Sequence, residues 1–238
     1  MTEQSILNRF RGLHFEEGKL KEIKGHLYAR DYASAFAPSF LETYAARFSP
    51  SRALAYTELM TSLQLHPHHV LCLGGGAGGE VVAAATLGAL VIEAVDMALW
   101  EDVIEKIKAG LEGCSQIQYT RADLLRGVEV VNADLITLLF VTNELIAQSR
   151  PAATKLLLSF SRCRSGTLLL VAESAGSYSD LRIGEKLFPL HLFLDHIFAP
   201  EWETIAKDDA RWFRVDAKLE HQIKLENMRY FFRLYKRR

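Results

Sequence analysis

Between residues 70 and 173, short apolar runs of strand length alternate with stretches in which apolar residues recur every three to four positions. Val70 to Leu73 is the first run, and Val81 to Leu90 behind it is small, apolar and rich in helix-forming alanine. A second run, Val91 to Val95, precedes a helical stretch from about Ala98 to Leu111. That stretch has Val103, Ile104, Ile107 and Leu111 on one face and is stopped by Gly113. Ile117 to Asp123, Ala133 to Val141 and Gly166 to Glu173 read as the third, fourth and fifth strands. The fourth is almost wholly apolar, as a central parallel strand is, and a helix from about Pro151 to Cys163 joins it to the fifth. This alternation predicts an open, doubly wound, mostly parallel sheet. The tail differs: Leu187 to Phe198 reads as an apolar helix, and Ala210 to Val215 and Met228 to Tyr235 as two strands without a long helix between them, hence an antiparallel pair.

Ahead of the first strand, helical spacing links Ile6, Leu7 and Phe10, then Leu20, Ile23 and Leu27, with Arg9, Arg11, Lys19, Lys21, Lys24 and Arg30 interleaved and Glu16, Glu17 and Glu22 diluting the charge. Two readings stay open: a lid that helps bind substrate, or a solvated helical cap on the sheet. Pro50 breaks the next helical stretch and Ser49 is placed to cap, so a helix is expected to start near Pro50 and run to about Leu65. The division is therefore residues 1–66, a helical N-terminal extension or lid, and residues 67–238, the sheet domain. The cluster His66-Pro-His-His69 lacks further donors at ligand spacing and reads as a polar turn; no metal is expected.

Composition narrows the class modestly. With 238 residues, 49% of them hydrophobic, the chain can bury one full core. A net charge of −1 gives no overall pull toward nucleic acid, so any basic surface is local; Lys236 to Arg238 with Arg229 and Arg233 is a candidate. Cys72, Cys114 and Cys163 are widely spaced and set in apolar surroundings, which argues for reduced thiols. No apolar signal core opens the chain and no run is long enough to cross a bilayer, so a soluble, non-secreted protein without a membrane partner is expected.

The chemistry gathers at the first strand-to-helix turn. Gly74, Gly76 and Gly78 give the spacing G-x-G-x-G, where missing Cβ atoms allow a sharp bend and close approach of a ligand; Gly75 belongs to the same turn. Asp96 ends the second strand, 18 positions after Gly78, where a carboxylate can accept from both ribose hydroxyls of an adenosine-type ligand. Glu80 opens the helix behind the turn and would repel a pyrophosphate, which argues against a dinucleotide such as NAD and for a cationic ligand such as S-adenosylmethionine (SAM). Cys72 stands where such sites often carry an acid. Met97 or Trp100 could pack on the adenine ring and Asp123, with Leu124, could lie beside its amino group. Arg47 and Arg52 could fork onto the ligand carboxylate or a phosphate, and Tyr44, Arg52 and Tyr178 are the acceptor-side candidates. A parallel sheet closed by an antiparallel pair, with this turn, is the Rossmann-like seven-stranded arrangement of class I SAM-dependent methyltransferases.

The segments His26 to Phe36, Arg47-Phe-Ser-Pro-Ser-Arg-Ala-Leu-Ala-Tyr56, Leu71-Cys-Leu-Gly-Gly-Gly-Ala-Gly-Gly-Glu80 and Phe140-Val-Thr-Asn-Glu-Leu145 resemble those of the fungal 25S ribosomal RNA uridine-N3 methyltransferases. That resemblance covers most of the chain and implies a nuclear or nucleolar enzyme, otherwise a cytoplasmic one, with ribosomal RNA as its partner. Methyl transfer to N3 needs the imide proton removed, and Glu144 at the end of the fourth strand is the base candidate, with Asn143 orienting the ring; a helix cap is the competing role for both. The Asn/Asp-Pro-Pro-aromatic signature of exocyclic-amine methyltransferases is absent, in keeping with a ring nitrogen. A small-molecule methyltransferase and a non-catalytic RNA- or protein-binding module on the same fold are the alternatives.

Overall fold

The computed structural model describes residues 2–111, 115–130, 133–176, 179–183 and 185–238; Gly113, Cys114 and Tyr178 lie outside them. Four helices come first: α1 (Glu3–Asn8), α2 (Glu17–Tyr28), α3 (Tyr32–Ala35) and α4 (Leu41–Ser62). The alternating part follows as β1 (His69–Leu73), α5 (Gly79–Thr86), β2 (Val91–Asp96), α6 (Glu101–Gly110), β3 (Gln116–Arg121), β4 (Leu135–Leu139), α7 (Thr142–Ser159) and β5 (Leu168–Ser174). A small hairpin of β6 (Asp180–Ile183) and β7 (Lys186–Pro189) leads into α8 (Leu190–Phe198), and β8 (Trp202–Phe213) and β9 (Met228–Arg237) close the chain.

The main sheet has the order β3-β2-β1-β4-β5-β9-β8, parallel through β5 and antiparallel from there on. The expected sheet and its C-terminal strand pair are present, with β8 starting eight residues earlier than Ala210. β1 and β4 are adjacent but far apart in sequence, so the strand order reverses there and a crevice opens beyond their carboxyl ends. One apolar cluster fills the face between the sheet and α1, α4, α5 and α6, and a second fills the opposite face beneath α7 and α8. Ile6, Leu7 and Phe10 share the first cluster with Val70 and Cys72, so the N-terminal helices are packed on the sheet.

Several local expectations give way to tertiary packing. Pro50 does not start a helix: α4 runs through it, with Ser49, Pro50 and Ser51 all buried. Ser49 Oγ donates to the Ala77 carbonyl at the glycine turn, 2.5 Å away, instead of capping, so burial against that turn offsets the missing backbone donor. The helix expected from about Pro151 is present as the second segment of α7, where Ser149 (φ −158°, ψ 99°) breaks the helix and its Oγ accepts from Ala152 N–H; what the sequence did not show is the first segment, from Thr142. β4 is correspondingly shorter than Ala133 to Val141, because Phe140 takes a left-handed φ of 62° and turns the chain. The helix expected from Leu187 starts at Leu190, its first residues being used in the β6–β7 hairpin.

The C-terminal basic residues do not form one patch: Arg229 is exposed at the crevice end of β9, opposite Trp212, and the others lie elsewhere. Lys236 pairs with Leu168 at the amino end of β5, the far end of the sheet. Arg233 is buried on Asp195 and Asp209, and Arg237, partly buried, pairs with Glu201 and donates to the Ser161 carbonyl.

Each glycine of the turn faces one of the chain's own side chains. A Cβ on Gly74 would meet Val141 at 2.5 Å, on Gly76 Trp100 at 1.9 Å and on Gly78 Ile107 at 2.1 Å; Gly74 and Gly78 also have φ of +82° and +85°. The open sides of these glycines serve internal packing as well as the bend. Gly78→Ala is expected to lower stability by about 1–3 kcal/mol from overpacking and left-handed strain. Adding Ile107→Val, which removes the methyl that the new Cβ strikes, should recover part of the loss in a thermal unfolding measurement; equal melting temperatures for Gly78→Ala and the parent would contradict the packing account.

Candidate active site

The crevice beyond β1 and β4 is a cleft of about 610 Å³, counting its open mouth. Gly74 and Ala77 of the turn, Asp96 and Met97 after β2, Trp100 before α6, and Asp123 and Leu124 after β3 line one side. Leu139, Phe140, Val141, Glu144, Leu145 and Gln148 line the β4–α7 side, and Phe36, Tyr44 and Arg52 close it from the N-terminal region. The rings of Phe36, Tyr44 and Trp100 pack on one another with centroids 5.1 to 5.9 Å apart, and a water molecule's centre can reach only about 50 Å³ of the space.

Asp96 holds the turn as well as facing the cleft. Its Oδ2 accepts from Gly76 N–H at 3.2 Å and its Oδ1 from Ala98 N–H at 3.2 Å. Burial raises its pKa and these donors partly offset that. Asp123 Oδ1 accepts from Leu125 N–H at 2.9 Å, which fixes the short turn carrying Leu124 into the cleft.

Glu144 sits in the first turn of α7 and faces the cleft. Burial pushes its pKa up to about 8, with the nearby Glu173 carboxylate adding to the rise and Arg52 opposing it. Asn143, one residue earlier, points elsewhere: its N–H and Nδ2 donate to the two oxygens of buried Glu173 at 3.0 and 2.9 Å, and Nδ2 also donates to Ser179 Oγ at 2.8 Å. Burial lifts Glu173 to about 7 against those donors.

Arg52 lies among these acids. Its Nη1 donates to Tyr44 Oη at 3.0 Å, and its guanidinium stands 5.5–5.6 Å from the ring centres of Tyr44, Phe48 and Phe140. Arg47, five residues earlier, does not line the cleft: it is buried on Glu226 and donates to the Lys224 carbonyl at 3.0 Å, tying α4 to the segment before β9.

Glu80 is not at the ligand side of the turn. Its carboxyl is buried beneath it, accepting from Thr137 Oγ1 at 2.7 Å and from Leu139 N–H at 3.1 Å, and burial raises its pKa to about 8. Electrostatic repulsion of a pyrophosphate by Glu80 therefore loses its basis, and its carboxyl instead lies under the turn close to Cys72, 3.1 Å from where a Gly75 Cβ would stand. Cys72 itself is a buried free thiol. His69 begins β1 and meets Glu93 at 2.7 Å, and no group of three or more potential metal donors occurs among the described residues.

Sequence reasoning missed Phe36, Ala77, Phe140, Val141, Leu145 and Gln148 in the cleft wall, and the buried Glu173 behind it. Gln148 is one helical turn beyond Glu144, a spacing visible only once α7 is known to start at Thr142. Phe36 and Phe140 lie in the motif segments already singled out, and their aromatic character was the available signal.

An open sheet with this strand order, a glycine turn after β1 and an acid at the end of β2 define a nucleoside-binding transferase of the class I methyltransferase type. A family profile described as "Putative SAM-dependent methyltransferase" matches residues 12–126 and 116–236. The chain is 34% identical to the 25S rRNA (uridine(2843)-N(3))-methyltransferase of Saccharomyces cerevisiae, over 91% of this chain and 77% of the yeast protein. The chain belongs to this family of SAM-dependent methyltransferases. Its fold is shared with the 16S rRNA methylase RmtB (TM-score 0.57, 15% identity, 94% of this chain and 76% of that one) and with an rRNA methylase from Escherichia coli (TM-score 0.54, 14% identity, 94% and 77%).

The buried acids set a pH dependence of stability. Glu80, Glu144 and Glu173 bind their protons more tightly folded than unfolded, so their stabilising share is complete below the ordinary carboxyl range near pH 4.5 and is lost as pH rises through about 7 to 8. Glu80→Gln keeps an acceptor for Leu139 N–H and cannot ionise. Its melting temperature should fall less steeply than the parent's between pH 5.5 and 8.5; a slope identical to the parent's would mean that Glu80 does not take up a proton on folding.

Proposed function

We propose that this chain uses SAM to methylate N3 of a uridine in large-subunit ribosomal RNA, with Glu144 as the general base. The observation that carries this reading is that Glu144, with a pKa near neutrality, faces the same cleft as Asp96, Asp123 and the glycine turn. The named activity of the yeast relative supports the choice of acceptor, and the same likeness supports a nucleolar site of action. Among the described residues no helix is long and apolar enough to cross a membrane.

The donor set fits SAM. Asp96 offers a carboxylate for the ribose hydroxyls, Asp123 and Leu124 an edge for the adenine, and Met97 and Trp100 apolar surface beside it. The acids around the cleft favour a cation over a pyrophosphate. When bound, the cofactor supplies an electrophilic methyl group, and the protein's own task is positioning, proton removal and exclusion of water. Glu144 takes the imide proton as N3 becomes the nucleophile, and a base with its pKa near the working pH is suited to that task. Arg52, between Tyr44 and the acids, is placed to stabilise negative charge on the pyrimidine oxygens. Asn143 holds Glu173 and the α7 turn, which makes it a positioning residue. Residues 1–66 serve as the lid, a reading supported by Phe36, Tyr44 and Arg52 on the cleft wall; admitting the cofactor requires the rings of Phe36, Tyr44 and Trp100 to part.

Calorimetric titration separates SAM from NAD as ligands, and tight binding of NAD alone would sink the proposal. Asp96→Ala should weaken SAM markedly by leaving the ribose hydroxyls without an acceptor. Glu144→Gln should keep SAM affinity and lose about a hundred- to ten-thousand-fold in turnover. In the parent, kcat/KM should rise with pH up to about 8, because the base acts only when deprotonated, and the variant should lack that limb. Parental turnover by Glu144→Gln across the pH range would reduce Glu144 to a helix cap.

A further inference from the structure

On the other side of the α7 turn from Glu144 lies a second, wider cleft, in which a water molecule's centre can reach about 560 Å³. Its wall is made by Asn143 and Ala147 of α7, by Arg150 at the start of the second α7 segment, by Asp180 and Arg182 of the β6–β7 hairpin, and by Arg30 behind α2. Three arginines from three separate parts of the chain therefore line one groove, with Asp180 the one acidic residue among its lining. All three arginines are exposed. Arg150 Nη1 donates to the Arg182 carbonyl at 2.9 Å, which ties the hairpin to α7 and leaves both guanidiniums on the groove; among the described residues neither forms an ion pair with a carboxylate.

This arrangement contrasts with the first cleft. There the charges are carboxylates around a half-buried arginine, a setting for a cation and a neutral ring; here they are exposed arginines at the margin of an open groove, a setting for successive phosphates. Asn143 and Glu144 are consecutive and line different clefts, so the two are separated by one helical turn. A strand whose phosphates lie along the groove would thus have a nucleotide within reach of Glu144. The net charge of −1 makes this local concentration of arginine distinct from a generally basic surface.

We propose that the groove between α7 and the β6–β7 hairpin, through Arg30, Arg150 and Arg182, holds the phosphates of the single-stranded RNA flanking the target nucleotide. The proposal rests on the reading of the acceptor as RNA given above. Its recognition is of backbone, not of sequence: arginine forks on phosphates fix register while the base enters the first cleft.

The test is the double variant Arg150→Glu/Arg182→Glu beside Arg150→Lys/Arg182→Lys, neither of which alters the SAM cleft. Calorimetry with SAM checks folding, and parental affinity is expected in both. Fluorescence anisotropy with a short, uridine-containing single-stranded RNA, together with methylation of unmodified large-subunit ribosomal RNA, reads the groove. The Glu variant should bind RNA at least about tenfold more weakly. The magnitude of its log–log salt slope should fall by about 1.4, from two lost phosphate contacts in a single strand. Its KM for RNA should rise while kcat stays within about twofold, and the Lys variant should retain most of the affinity. Parental RNA affinity and salt slope in the Glu variant would overturn the groove and leave the methyltransferase reading standing. A parent that binds SAM but neither binds nor methylates RNA would overturn the acceptor reading and the groove with it. Competition by an acidic peptide without any effect of RNA would also overturn it, assigning the groove to a protein.

Discussion

Removing carboxylates from water around the guanidinium of Arg52 is the constraint on which the rest of the site depends. Glu80, Glu144 and Glu173 are pushed up to between about 7 and 8 by burial, Asp96 is raised as well, and Arg52 opposes the rise at the three glutamates. Desolvation of several like charges at one end of a sheet is tolerable only if donors and a cation are fixed among them. The chain supplies backbone N–H groups from Gly76, Ala98, Leu139 and Asn143, and one arginine carried on the longest helix. The result is a cleft lined by Asp96, Asp123 and Glu144, with Arg52 as the arginine on its wall.

The need to place Arg52 explains features that otherwise look like faults. A proline inside a 22-residue helix costs a backbone hydrogen bond; beside it Ser49 donates to the Ala77 carbonyl, and Tyr44 and Arg52 of the same helix stand on the cleft wall. Arg47 on the same helix pairs with Glu226, so the two arginines of one motif divide their tasks: one fastens α4 to the C-terminal segment and the other faces the cleft. Phe140 in a left-handed conformation turns the chain from β4 into α7 and lays its ring against Arg52, which places Glu144 within the first helical turn.

Two clefts on either side of one helical turn divide the electrostatic labour. Asp96, Asp123 and Glu144 line the first and Arg30, Arg150 and Arg182 the second, and consecutive residues of α7, Glu144 and Asn143, connect them. The β6–β7 hairpin, which stands outside the main sheet, gives the second cleft its far wall.

By itself the sequence determined what depends on local periodicity and on chain order: the parallel run from β1 to β5, the antiparallel close, the glycine turn, and Asp96 at the end of β2. These were legible because an apolar strand run, a helical repeat and a glycine each constrain the backbone within a few residues. Only the tertiary structure decided where long side chains end. Glu80 reads as a charge at the helix opening but lies beneath the turn, because Thr137 and the Leu139 N–H on β4 receive it from 57 and 59 residues away. Pro50 reads as a start but is buried within α4, and the basic C-terminus reads as a nucleic-acid patch but lies at the other end of the sheet. Arg30, Arg150 and Arg182 are scattered in sequence and share a groove only after folding. In each case the deciding partner is distant along the chain, and local pattern carries no record of it.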